Sequence, residues 1–262
     1  MKKRIVVKVG TSTLTLDNGR LNLKTMDKLT QVLSAIHNEG HEIILVSSGA
    51  IAVGVNKMRL PEKPREIRMK QATAAVGQCE LMHIYDKLFS EYGCMVAQIL
   101  LTGDDILNDE KRNNLSNTFQ ALLENGIIPI VNENDSVSST EIESEKKVFG
   151  DNDMLSAIVS NLCHADELII MSDIEGLYDD NPRINPMAKV IHKVDNVDDV
   201  LGFAHGAGTS RGTGGMDTKL QAAKYVTDKG MDMYITHGQK PERIYDIMKN
   251  KEVGTWFVAK EI

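Results

Sequence analysis

One eight-residue stretch combines the groups that bind phosphate: backbone amides, a hydroxyl and an ammonium. Residues 212–219 have the sequence Gly-Thr-Gly-Gly-Met-Asp-Thr-Lys. Its glycines can turn successive N–H groups toward one anion, and without a Cβ they let a phosphate approach the backbone. A helix predicted to start near Lys219 would add its own free N–H groups. The stretch is not a Walker A loop, because Lys219 follows Thr218 rather than glycine. The alternative is a flexible linker before a solvated helical lysine.

Lys8 is a charged residue inside an apolar, β-branched run. Such a run is typical of a strand buried in a parallel sheet. Because burying an unpaired ammonium is costly, Lys8 must reach solvent or an anionic partner. The alternative is an edge strand on which Lys8 points into solvent.

Polar residues follow two other predicted strands. Ser47, Ser48 and Gly49 come after the strand at 41–46, and residues 132–135 (Asn-Glu-Asn-Asp) come after the strand at 126–131. Open α/β sheets bind ligands at such carboxyl ends, although a serine pair there can also be a plain helix N-cap. The aspartates of residues 150–153 (Gly-Asp-Asn-Asp) precede an apolar helix, where N-cap and dipole effects alone would favour them.

Strands alternate with helices along the whole chain. Residues 65–92 predict one long helix or two, with Gly77 as a possible interruption. Residues 104–124 predict a helix in their second half, and residues 136–148 an exposed hairpin. The pattern predicts an α/β protein with one mostly parallel, doubly wound sheet, whose halves meet near residues 150–165.

The composition is that of a globular protein. The chain has 262 residues, 42% of them hydrophobic and 26% charged, and a net charge of −7. The acidic balance argues against nucleic acid or an anionic membrane as a general partner. No run approaches the ~20 apolar residues of a membrane span. The three cysteines and seven histidines lack disulfide or metal spacing. These features predict a soluble, cytoplasmic protein with reduced cysteines and no metal held by side chains.

Five motifs occur in order along the chain. They are Lys8-Val9-Gly10-Thr11-Ser12, Ser48-Gly49-Ala50-Ile51, Asn132-Glu133-Asn134-Asp135, Gly150-Asp151-Asn152-Asp153 and residues 212–219. Each is weak alone, but as a set they resemble the amino acid kinase family from Lys8 to about residue 235. The resemblance implies a three-layer αβα sandwich with a central, mostly parallel open sheet. It also implies an acceptor-binding lobe at about residues 1–155 and a nucleotide-binding lobe at about 156–262.

The resemblance further implies a reaction. The acceptor-side motifs are similar to those of members that phosphorylate the γ-carboxylate of glutamate with ATP and Mg²⁺, the first step of proline biosynthesis. Lys8 and Lys219 would stabilise the transferring phosphoryl group, and Asp153 would orient them. Ser48, Asp135 and Asn152 would hold glutamate, with Asp135 at its ammonium and Asn152 at a carboxylate. The implied ATP-binding residues are Lys8, Gly10, Gly49, Ser172, Asp173, Thr213, Gly214, Gly215, Met216, Asp217, Thr218 and Lys219.

Other expectations follow from the resemblance alone. They are feedback inhibition by proline and a homo-oligomer, either a dimer or a tetramer. Many glutamate-phosphorylating members carry an additional C-terminal domain of the RNA-binding-like PUA type, for which a sequence ending at Ile262 leaves no room. Two alternatives stay open. One is a sister kinase acting on another carboxylate or phosphate acceptor, and the other is a nucleotide- or proline-sensing protein without catalysis.

Overall fold

The computed structural model describes residues 2–16, 18–137, 151–182, 184–204 and 215–261. Its strands are β1 Arg4–Val9, β2 Glu42–Ser47, β3 Met95–Leu101, β4 Ile127–Glu133, β5 Glu167–Ser172, β6 Lys193–Val194, β7 Asp232–His237 and β8 Thr255–Phe257. Within these ranges they form an eight-stranded sheet in the order β3-β4-β2-β1-β5-β7-β8-β6. Neighbouring strands run parallel except β7 and β8, which are antiparallel. The prediction of a mostly parallel sheet is confirmed.

Helices connect the strands. They are α1 Thr11–Leu14, α2 Leu23–Asn38, α3 Ala50–Lys57, α4 Ile67–Glu91, α5 Gly103–Leu107, α6 Asp109–Glu124, α7 Asn152–Leu162, α8 Met216–Thr227 and α9 Arg243–Met248, with a 3₁₀ helix at Val197–Ala204. No helix in the described ranges is long and apolar enough to cross a membrane. The predicted hairpin at 136–148 lies almost entirely outside the described residues.

Strand β1 lies in the middle of the sheet. It runs parallel to β2 on one side and to β5 on the other, with Lys8 opposite Val46 and Ile170. Its apolar side chains are fully buried. A strand covered on both faces and paired on both edges needs a continuous apolar run, as this one has. The edge-strand alternative for Lys8 is therefore wrong.

The two faces of the sheet are each covered by helices. Alternate residues of β1 and β2 face opposite sides, so Val6 and Val46 join one core cluster while Val7 and Leu45 join the other. The first cluster contains residues of α6, α7 and α8, and the second contains residues of α2, α4 and α9. The three-layer αβα sandwich predicted from the family resemblance is confirmed.

The segment before β4 corrects one prediction. Both halves of residues 104–124 are helical, because α5 precedes α6 with only Asn108 between them. The start of α5 is fixed by a capping box in which the Asp105 carboxylate accepts from the Thr102 backbone N–H at 2.8 Å. The Asn108 side chain then accepts from the Lys111 N–H at 3.0 Å and starts α6.

Helix α4 is a single helix, and Gly77 has a packing role in it. A Cβ placed on Gly77 would lie 1.8 Å from the carbonyl oxygen of Ala50 in α3. A Cβ on Gly54 would lie 1.9 Å from the carbonyl oxygen of Thr73 in α4. The backbones of α3 and α4 therefore touch at these two glycines, and the interruption considered at Gly77 does not occur.

We predict that Gly54→Ala and Gly77→Ala each lower the free energy of unfolding by about 3 kcal/mol. An added methyl would meet backbone atoms that cannot rotate away, and this overpacking outweighs the ~1 kcal/mol that alanine gains in helix propensity. Gly202→Ala is the control, because a Cβ there meets no described residue within 4 Å. Urea titration of the three variants measures the difference. Equal midpoints for all three would contradict the close packing.

Candidate active site

The carboxyl ends of the parallel strands meet at one edge of the sheet, and the predicted site residues follow those ends. Gly10 follows β1, Ser48 follows β2, and Asp173 follows β5. The first two loops are joined directly, since the Ser48 N–H donates to the Val9 carbonyl at 3.1 Å. Gly49 then starts α3 with φ of 101°, in the left-handed region that favours glycine.

A buried cluster of three charges lies at this edge. Asp153 is fully buried and bridges two ammonium groups with its two carboxylate oxygens. The Lys8 Nζ is 2.5 Å from Oδ1, and the Lys219 Nζ is 3.0 Å from Oδ2. The three residues come from β1, α7 and α8. The structure thus brings together the residues predicted to be catalytic.

Asp153 is held in place by the start of its own helix. The Asp151 carboxylate accepts from the backbone N–H groups of Asp153 at 2.9 Å and of Met154 at 3.2 Å. The Thr218 hydroxyl, from the first turn of α8, lies 3.1 Å from Asp153 Oδ2. Asp151 is therefore the N-cap, while Asp153 points at the lysines. The capping interpretation of this motif accounts for only one of its two aspartates.

Electrostatics keep the Asp153 carboxylate ionised. Burial alone would raise the pKa of Asp153, but the charges and hydrogen bonds of Lys8 and Lys219 outweigh it and hold this pKa below its ordinary value. Two ammonium groups and one carboxylate sum to a charge of +1. A phosphate bound beside the cluster would balance this charge where water is largely excluded.

On the side of β2 and β4, polar side chains form a connected group. The Asn152 amide donates to the Ser48 Oγ at 2.6 Å and to the Asn132 Oδ1 at 3.3 Å. The Asn132 amide in turn donates to the Gln78 Oε1 at 3.0 Å. Asp135 lies two residues beyond β4 and is half-buried. Two of the three predicted acceptor residues, Ser48 and Asn152, are thus in direct contact.

The predicted nucleotide residues divide into described and undescribed ones. Ser172 ends β5 and its hydroxyl donates to the Asp173 carboxylate at 3.2 Å. Gly215 is the N-cap of α8, Met216 is buried and Asp217 is exposed. Because Lys219 is only 6% exposed, the alternative of a solvated helical lysine is wrong. Thr213 and Gly214 lie outside the described residues.

Two residues of the site had no role in the sequence analysis. From the sequence alone, Asn132 is one residue of a polar strand end, and Gln78 is one of many polar residues on a predicted helix. The signal for Asn132 is its position inside β4, where it is only 2% exposed and must find hydrogen-bond partners. No comparable signal marks Gln78.

The described residues contain no group of three or more His, Cys, Asp or Glu side chains that could hold a metal ion. Of the two buried carboxylates here, Asp153 is already bound to two lysines, and Asp151 accepts from two backbone N–H groups of α7. These side chains do not fit a Mg²⁺ ion held by the protein alone. A magnesium ion would have to arrive with phosphate oxygens and water as its main ligands.

The fold brings two lysines onto one buried aspartate at the carboxyl edge of the sheet, a charge arrangement that suits a phosphate. Residues 3–237 match the amino acid kinase family, and the chain belongs to it. The resemblance inferred from the five motifs is confirmed.

Two relatives carry the name of one particular kinase of this family. A protein of Clostridium perfringens named glutamate 5-kinase is 57% identical over 99% of this chain and 96% of its own length. A glutamate 5-kinase of Listeria innocua is 51% identical over 99% of this chain and 94% of its own length.

Solved structures support the fold. Carbamate kinase from Giardia lamblia bound to AMP-PNP superposes with a TM-score of 0.69 at 13% identity, covering 98% of each chain. UMP kinase from Bacillus anthracis gives 0.65 at 14% identity, covering 99% of this chain and 97% of its own.

We predict that Asp153→Asn lowers the free energy of unfolding at neutral pH by about 3–5 kcal/mol, because two buried lysines lose their shared counter-charge. The pKa of Asp153 is lowered in the folded state. Its stabilisation is therefore complete above the unfolded-state value near 4 and is lost as pH falls through the folded value. The gap between parent and variant should begin to narrow at about pH 5 and should go on narrowing as the pH falls toward the lowered pKa of the folded state.

Denaturant melts across this pH range measure the gap. Asp86→Asn, an exposed aspartate on α4, is the control and should stay close to the parent. A pH-independent gap would show that Asp153 acts through its shape rather than its charge.

Proposed function

We propose that the chain transfers the γ-phosphoryl group of MgATP to the γ-carboxylate of L-glutamate, forming γ-glutamyl phosphate and ADP, the first step of proline biosynthesis. The observation that carries the proposal is the contact of both Lys8 and Lys219 with the buried Asp153. The relatives named glutamate 5-kinase, which align over nearly the whole chain, support the choice of acceptor.

The chemistry needs charge rather than a base. A carboxylate is already ionised at pH 7, so no proton must be removed before it attacks phosphorus. Catalysis then consists of holding two anions in line and neutralising the charge on the transferring oxygens. Lys8 and Lys219 carry this task, and Asp153 fixes the direction of both ammonium groups.

The two substrates are assigned to opposite sides of Lys8. Glutamate would lie over Ser48, Asp135 and Asn152, which belong to a lobe of about residues 1–155. ATP would lie over Ser172, Asp173 and the start of α8, in a lobe of about residues 156–262. This division fits the sheet, because β2 and β4 lie on one side of β1 and β5 lies on the other. Gly10 and Gly49 would supply backbone amides for the phosphates between the lobes.

The direct test is a hydroxamate-trapping assay with purified protein, MgATP and a panel of acceptors. We expect hydroxamate with L-glutamate and little with N-acetylglutamate or carbamate. Phosphorylation of UMP is followed instead by a coupled ADP assay, in which we also expect little turnover. A preference for another acceptor would make the chain a sister kinase. ATP binding without glutamate-dependent turnover would make it a sensing protein.

In the same assay, Lys8→Met and Lys219→Met should each lower kcat at least ~100-fold. The Kd for MgATP, measured separately by a binding experiment, should change less than ~10-fold. Both variants should fold, because one lysine still neutralises Asp153. Lys224→Met is the matched control on α8; its ammonium pairs with Asp198 and is exposed, so kcat should not change. A Lys8→Met enzyme with normal kcat would remove Lys8 from the mechanism.

We further propose that proline inhibits by competing with glutamate, because its carboxylate and ring ammonium resemble the α-carbon end of glutamate. Asp135→Ala should then raise the KM for glutamate and the inhibition constant of proline in parallel, by ~10-fold, with the KM for ATP unchanged. Initial-rate kinetics at varied glutamate and proline measure both constants. Asp104→Ala, an exposed aspartate on α5, is the control. Inhibition independent of glutamate concentration would refute the shared site.

A further inference from the structure

A chain of hydrogen bonds leads from helix α4 to the acceptor side of the site. It passes from Gln78 to Asn132 at 3.0 Å, from Asn132 to Asn152 at 3.3 Å and from Asn152 to Ser48 at 2.6 Å. Asn132 is only 2% exposed and Ser48 only 9%. Because water has little access to the middle of this chain, each donor there must face an acceptor.

One backbone group sets the donor-to-acceptor direction of this whole series of hydrogen bonds. The Glu133 N–H, which can only donate, lies 2.9 Å from the Asn132 Oδ1. The Asn132 Oδ1 therefore faces Glu133, and its Nδ2 must face Gln78, which accepts through Oε1. The same Oδ1 requires a donor from Asn152, so the Nδ2 of Asn152 lies on that side.

At the end of this series of hydrogen bonds, the direction decides which groups of Asn152 and Ser48 remain for a ligand. The Asn152 Nδ2 uses one hydrogen for Asn132 and the other for the Ser48 Oγ. The Asn152 side chain then has only its Oδ1, an acceptor, for a ligand. Ser48 accepts from Asn152 and keeps its hydroxyl hydrogen, a donor. An α-amino acid offers the complement of this pair, since its ammonium donates and its carboxylate accepts.

We propose that Gln78 and Asn132 are positioning residues of the acceptor site, which fix the Asn152 amide so that Ser48 donates to the substrate carboxylate and Asn152 accepts from the ammonium. The inference rests on the proposed function and deepens it. It gives Asn152 the ammonium rather than the carboxylate expected from the family pattern. Gln78 is well placed for this role, because it follows Gly77, where the backbones of α4 and α3 touch.

Gln78→Met is the first test, because methionine keeps the length of the side chain and removes its acceptor. The Asn132 amide then loses a partner and is held less firmly. We expect the Kd for L-glutamate, measured by calorimetry, and its KM to rise about fivefold to tenfold, and the KM for MgATP to stay within about twofold. Gln78→Glu, which keeps an acceptor oxygen, should restore glutamate binding to within about threefold of the parent.

Gln120→Met is the matched control, a change of the same residue type on the exposed face of α6. It should leave both substrate constants unchanged. A purely structural role for Gln78 would lower the melting temperature and change both KM values together, without rescue by Gln78→Glu.

A double variant tests the contact itself. In Asn132→Asp the new carboxylate still accepts from Glu133 and Asn152, and Gln78 can rotate its amide to donate, so the effect should be small. Combined with Gln78→Glu, two carboxylates face each other. The rise in glutamate Kd should then exceed the product of the two single effects by at least ~10-fold.

The outcomes separate the two proposals. An active parent whose glutamate Kd does not change in Gln78→Met, or a double variant whose effects simply multiply, overturns the positioning role alone. A parent that neither binds L-glutamate nor forms γ-glutamyl hydroxamate overturns the proposed function and this inference with it.

Discussion

The ion cluster of Asp153 with Lys8 and Lys219 is the constraint on which the site depends. A carboxylate with no exposed surface would be strongly destabilising without counter-charges, and each lysine needs the aspartate for the same reason. The three residues are far apart in sequence. Because each of these buried charges requires the others as partners, the cluster holds β1, α7 and α8 against one another at the edge of the sheet where a ligand can enter. A buried ionic group of this kind specifies an arrangement more than it adds stability.

The sheet explains why Lys8 lies between the two substrate positions that we propose. Strands β2, β4 and β3 lie on one side of β1, and β5, β7, β8 and β6 lie on the other. The strand order thus reverses direction at β1, and open α/β sheets form a crevice at such a point. Loops from the first half of the chain line one side of the crevice, and loops from the second half line the other. Lys8 stands at the boundary, and Lys219 approaches it from the second half.

The sequence predicted best those residues whose chemistry conflicts with the sequence pattern around them. A lysine in a buried strand requires a partner, so Lys8 marks the site from the sequence alone. Lys219 was marked by the glycines before it. Local patterns that tertiary contacts override were predicted less well. Gly77 is unfavourable in a helix by propensity, yet α4 keeps it because the Ala50 carbonyl of α3 occupies the place of a side chain.

Other features left too little trace in the sequence. The two residues of β6 are too few for a periodic pattern. The start of α5 was available in principle, since Thr102 and Asp105 have the spacing of a capping box. Gln78 is the clearest limit. Many polar residues lie along α4, and helical periodicity cannot say which of them contacts β4. Only the packing of α4 on the sheet selects Gln78 as the partner of Asn132.

The chemistry of the cluster also restricts which acceptors the site can use. A general base must be able to take a proton near neutral pH, and its pKa should lie near 7. The pKa of Asp153 is shifted the other way, because both of its oxygens are held by ammonium groups. It can neither accept a proton from an alcohol nor move toward one without leaving two lysines unpaired. The cluster therefore suits acceptors that are already anions, such as carboxylates and phosphates. Among these, in the arrangement that we propose, the donor of Ser48 and the acceptor of Asn152 distinguish an amino acid from a simple anion.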